Sequence, residues 1–127
     1  MSPDGQFSAI SPTVVQGCLV ITLPPDLGDE LANLRQVVLD GVSDSRVRAA
    51  VLDFSALQIM DCAEFAFVRS VVDMAELLGA RVVVAGFRPG VAAYLVESDA
   101  EIAGLRIARD LEEALLLVGI VGAGRTP

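Results

Sequence analysis

Two rhythms of apolar residues alternate along the chain. Short dense runs occur at "TVV" (Thr13 to Val15), "CLVITL" (Cys18 to Leu23), "AAVLDF" (Ala49 to Phe54), "RVVVAGF" (Arg81 to Phe87) and "LRIARD" (Leu105 to Asp110), and they read as β-strands. Between them the spacing lengthens to three and four. Leu27, Leu31, Leu34 and Val38 mark one buried face of a helix over Asp26 to Gly41, with Gly41 as its stop. Phe65, Val68, Val72, Ala75 and Leu78 form a stripe on a second helix, Cys62 to Leu78, with Phe67, Val71 and Met74 beside it. "RPGVAAYLVES" predicts a short helix that opens with Pro89, where a missing N–H is harmless. "DLEEALLLV" predicts a last one, with Asp110 and Glu113 at capping-box spacing.

The order is β-β-α-β-α-β-α-β-α. Gln16-Gly17 lies between the first two strands as a tight hairpin turn, so those two run antiparallel. Each later strand is reached through a helix, which makes the connections parallel crossovers. The predicted fold is a single α/β domain, a mixed and mostly parallel sheet of about five strands with an antiparallel edge strand and about four helices. It spans residues 12 to 119 between flexible tails at 1 to 11 and 120 to 127. The runs at Ala49 and Arg81 are apolar without alternation, as suits interior strands covered on both faces.

Composition sharpens this picture. A chain of 127 residues, 54% apolar, has enough material for one ordinary core. With 5% aromatics and no tryptophan, that core must be built from Val, Leu, Ile and Ala. Seventeen acidic residues against nine arginines, and no lysine, give a net charge of −8. The arginines are dispersed, so nucleic acid and anionic lipid surfaces are repelled. Two cysteines and no recognisable export signal at the N-terminus predict a cytoplasmic protein with reduced thiols. "ALLLVGIVGAG" is too short for the roughly 20 apolar residues a membrane span needs.

The stretch "LQIMDCAEF" carries the most chemistry. Asp61 is placed to cap the second helix and Glu64 to reach back to it, a pairing that needs no function. Cys62 then becomes the first helical residue. A helix N-terminus favours a thiolate, but two flanking carboxylates oppose it. No histidine exists to serve as a base, so a Cys-His nucleophile is excluded. The plain reading of Cys62 is a small space-filler, and of Cys18 a core residue in a strand. No phosphate-binding loop, dinucleotide fingerprint or metal-ligand cluster is present in the sequence. The residues therefore predict neither an enzyme nor a cofactor or metal protein.

Taken together, "VLDFSALQIMD", "DCAEFAFVRSVVDMAELLGA", "GARVVVAGFRPGVAAYLV" and the closing "LEEAL" resemble the STAS domain of bacterial anti-sigma-factor antagonists, over roughly residues 13 to 118. Within that family the likeness runs to the small single-domain scaffold proteins of the stressosome and their multidomain co-antagonist relatives. The resemblance implies a non-enzymatic partner-switching module in signal transduction and stress response. It implies binding to a GHKL-type serine/threonine kinase and assembly with other STAS proteins. The implied partner surface is Asp61, Cys62, Ala63 and Glu64 with the Arg88-Pro89 turn. Such proteins carry a phosphorylated serine where this chain has Cys62, and a second acceptor threonine would fall near Tyr94. Both usual acceptor residues, the serine and the threonine, are replaced here. Ser55 and Ser70 are other hydroxyls near this region, but they read as a turn closer and a mid-helix residue. A mean hydropathy of +0.61 points to apolar residues covered by a partner. Two alternatives stand beside this reading: a ligand- or lipid-binding module with a cavity near the first helix or the strand ends, and a thiol sensor centred on Cys62.

Overall fold

The computed structural model describes residues 10–120. β1 (Ser11–Val15) and β2 (Cys18–Thr22) form an antiparallel hairpin in which Val15 pairs with Cys18. The two-residue turn between them needs positive φ at both positions, and Gln16 and Gly17 supply +50° and +80°. The other elements are α1 (Leu31–Val42), β3 (Ala49–Asp53), α2 (Cys62–Leu77), β4 (Arg81–Ala85), α3 (Pro89–Glu97), β5 (Arg106–Ala108) and α4 (Leu111–Leu117). The sheet order is β1-β2-β3-β4-β5, with β2 to β5 all parallel. The mixed sheet and the four helices are those that the periodicity predicts. The residues read as terminal tails lie mostly outside the described range, although Ile10 is buried and β1 already begins at Ser11.

Strand neighbours that follow one another in sequence place successive right-handed crossovers on one face. Accordingly Leu19, Ile21, Ala50, Leu52, Val82 and Val84 pack against α1, α2 and α3 through Leu34, Val38, Phe65, Val68, Val72 and Leu95. The alternate positions Cys18, Val20, Ala49, Val51, Val83 and Ala85 point the other way, to Ala114 of α4 and to Ile120. One helix covers that second face, and every residue of β3 is buried as a result.

Three expectations need correction. The helix read from Asp26 starts only at Leu31, preceded by a 3-10 turn at Gly28–Glu30. The Asp26 carboxylate accepts from the Gly28 N–H at 2.9 Å and Gly28 takes φ +40°, so a local turn competes with helix there. Leu27 is buried all the same. Gly41 lies inside α1 and does not stop it. A Cβ at that position would overlap the Leu19 Cδ2 methyl, so the glycine serves close approach of α1 to β2. Leu78 belongs to the turn after α2 and is exposed, because Gly79 at φ +99° swings the chain away before a further helical turn forms.

Candidate functional site

The site residues sit where the sheet hands over to the helices at its carboxyl end, a common location for sites in open α/β sheets. β3 ends in buried Asp53, whose Oδ1 accepts from the Ser55 N–H at 3.0 Å and turns the chain out of the sheet. The loop then descends through Leu57 and Met60, both buried, and reaches α2 at Asp61.

Asp61 caps α2 with extended backbone, φ −89° and ψ 174°. Its Oδ1 accepts from the Glu64 N–H at 2.7 Å, and Glu64 Oε1 accepts from the Asp61 N–H at 3.0 Å. The capping box is therefore complete, with two orphan donors satisfied reciprocally. Cys62 is the first helical residue and half-buried, Ala63 is exposed, and Glu64 is partly covered. α4 shows half of the same device: Asp110 accepts from the Glu113 N–H at 2.9 Å, but Glu113 Oε1 takes the Arg109 N–H in place of the cap's own.

Arg88 precedes α3 in extended conformation and Pro89 occupies its first turn. The Arg88 Nη1 donates to the Ser55 carbonyl at 3.3 Å, which ties the β4–α3 turn to the β3–α2 loop. Phe54 and Phe87, next to the residues of this tie in sequence, pack with tilted rings whose centroids lie 4.6 Å apart. The structure thus brings Asp61 to Glu64 and the Arg88-Pro89 turn onto the same end of the sheet.

Sequence reasoning missed what lies between them. A groove of about 320 Å³ is lined by Gln58, Ile59, Met60, Asp61, Gly90, Val91 and Tyr94. Ile59 is 63% exposed and Tyr94 42%, so two large apolar side chains face solvent beside the capped helix end. Tyr94 was legible only as a replaced acceptor. Ile59 gave no periodic signal, because it lies in a loop. Its backbone is nonetheless fixed, since Ile59 bridges Asp26 in parallel and the Gln58 N–H donates to the Pro25 carbonyl at 2.8 Å.

The two thiols occupy different environments. Cys18 is fully buried at the start of β2, and burial pushes its thiol up to about 11. Cys62 lies beyond the opposite end of the sheet, so the two cannot pair within one molecule. At pH 8 a thiol reagent is expected to modify Cys62 in the folded protein and Cys18 only on unfolding. Mass spectrometry of the labelled peptides checks this, and rapid labelling of both would contradict the burial of Cys18. Among the described residues, no group of three or more His, Cys, Asp or Glu side chains is placed to hold a metal.

A mixed sheet with three helices on one face, one on the other, and a capped helix end beside an apolar groove defines a small α/β domain. The model of the STAS domain matches residues 9–114, and the chain belongs to that family. No curated protein matches the chain in sequence. Among solved structures, a serine-to-glutamate variant of RsbS from Moorella thermoacetica superposes with a TM-score of 0.75 at 24% identity, covering 87% of this chain and 95% of that one. A chain from the molecular architecture of the stressosome, described as a signal integration and transduction hub, gives 0.73 at 25% identity, covering 85% and 95%. The unphosphorylated anti-sigma factor antagonist SpoIIAA gives 0.66 at 18% identity, covering 88% and 100%. No helix among the described residues is long and apolar enough to cross a membrane.

Proposed function

We propose that this protein is a non-enzymatic, cytoplasmic partner-switching regulator, an anti-sigma-factor antagonist or stressosome scaffold subunit, that docks a GHKL-type serine/threonine kinase and assembles with other STAS proteins. The observation that carries the reading is the exposed, fully capped start of α2 beside the apolar groove of Ile59 and Tyr94. Interfaces are built around a few apolar or aromatic anchors inside a polar rim, and this end of the molecule has that composition. Asp61, Cys62, Ala63, Glu64, Arg88 and Pro89 form the rim. The likeness to a stressosome chain supports assembly with other STAS proteins.

Cys62 explains how this chain departs from the usual switch. A phosphate at the first helical position would add nearly two negative charges beside Asp61 and Glu64 and change the face by repulsion. A thiol matches serine in size but offers no hydroxyl to an ordinary kinase. The face is therefore held in its unphosphorylated, binding-competent form.

The test mixes the wild type and Cys62→Ser with a GHKL kinase of the same organism, with and without Mg-ATP. Both forms are expected to bind without ATP. Only Cys62→Ser takes up phosphate and is released. Failure of both forms to bind any such kinase would discard the reading, and modification of Cys62→Ser alone with loss of binding marks the wild type as a disabled switch.

A further inference from the structure

We propose that the opposite end of the sheet holds a second site, a pocket that binds a small oxyanion bearing a phosphate or carboxylate group. The pocket measures about 360 Å³ and is lined by Gln16, Gly17, Cys18, Arg48, Ala49, Gly79, Arg81, Val118 and Ile120. That volume lies in the range of small-molecule sites. Its two cationic walls are what set it apart.

The arginines of the described residues are mostly engaged elsewhere. Arg46, Arg69, Arg106 and Arg109 each pair with a carboxylate. Arg35 stands over the Phe67 ring, and Arg88 donates to the Ser55 carbonyl. Arg48 and Arg81 form no ion pair among the described residues, although the chain carries seventeen acidic residues for nine arginines. Arg81 spends one donor on the Leu117 carbonyl at 3.5 Å, at the C-terminal end of α4, which offsets the negative pole of that helix.

The backbone holds these two residues side by side. The Arg48 N–H donates to the Gly17 carbonyl at 2.8 Å, and the Arg81 N–H to the Arg48 carbonyl at 3.0 Å. Both arginine side chains line the one pocket, and an anion bound there would offset their like charge. Guanidinium donors also fit carboxylate and phosphate oxygens in pairs. Among the described residues no carboxylate lines the pocket to compete for them.

The rest of the lining leaves the arginines accessible. Gly17 and Gly79 leave their turns without side chains over the opening, at φ +80° and +99°. Cys18, Ala49 and Ile120 are buried beneath the pocket, so the surface it offers a ligand is mostly polar. An anion with several oxygens to share between the two arginines suits that surface.

The test titrates the full chain with glycerol 3-phosphate and with succinate, each against sodium chloride of equal ionic strength, followed by amide NMR and thermal melting. Saturable shifts at Gly17, Gly79 and Arg81, with a Tm rise of about 10 °C at a hundredfold excess over Kd, are expected from at least one probe. Whichever probe saturates names the headgroup. The Arg48→Gln/Arg81→Gln double variant is expected to melt normally without anion and to lose the response. Shifts that merely track ionic strength, no response to either probe, or an equal response in the double variant would overturn the site. The pocket lies away from Asp61, so the double variant is expected to retain kinase capture, and a failure here leaves the docking test untouched.

Discussion

Replacing Ile59 with aspartate is expected to lower affinity for the kinase-type partner about 100-fold while leaving the melting temperature almost unchanged. Ile59 is 63% exposed, so a charge there costs the isolated fold little. In the complex the same carboxylate would be buried against an apolar surface without a partner. Central apolar anchors of interfaces typically contribute about 2 kcal/mol or more, and a buried unpaired charge adds to that loss. A total near 3 kcal/mol corresponds to roughly two decades in Kd. Val96→Asp is the matched control, since Val96 is also 63% exposed but lines a different groove, between α3 and β5. Calorimetric titration of both variants checks the difference. Equal losses would show that Ile59 has no special place in docking.

Gly86→Val is expected to produce the largest loss of stability. Gly86 follows β4 at φ +79°, and a Cβ there would lie 3.1 Å from Asp53 Oδ1 and 3.2 Å from both the Cβ and the N–H nitrogen of Ser55. A branched residue at that φ costs about 1–3 kcal/mol in backbone strain. Crowding against Asp53 and Ser55 adds about 1–3 kcal/mol more, because that turn is fixed from below by buried Asp53. Domains of this size have only about 5–15 kcal/mol in total. Urea unfolding is therefore expected to show a stability loss of roughly 2–6 kcal/mol by these two terms. The same turn carries the Arg88 tie to Ser55, so the docking face loosens with it. A loss below about 1 kcal/mol would mean that the turn yields, against the rigidity argued for it.

Much of this was legible in the sequence where a single physical signal dominates. Uninterrupted apolar runs gave β3 and β4, because strands buried on both faces need no alternation. The Asp61/Glu64 spacing predicted a capping box that the structure contains in full. Signals failed where two causes compete. Leu27 kept the helical spacing but is held outside α1 by the Asp26 turn, and Gly41 reads as a terminator in sequence although its role is close packing on Leu19. Leu78 continued the apolar stripe past the point where Gly79 ends the helix. The Ile59–Tyr94 groove and the Arg48–Arg81 pocket join residues more than thirty positions apart, and periodicity carries no information about such meetings.

The central claim is that the capped start of α2 and the adjoining groove form a docking surface at which no bond is made or broken. Hydrogen exchange of the wild-type chain, free and saturated with its kinase partner, tests it most directly. Slowed exchange is expected only at the amides of residues 58–64, 88 and 90–94, with Cys62 recovered unmodified and the α4 face unchanged. Protection centred on α4 or on the Arg48–Arg81 end, with none at Asp61 to Glu64, would contradict it.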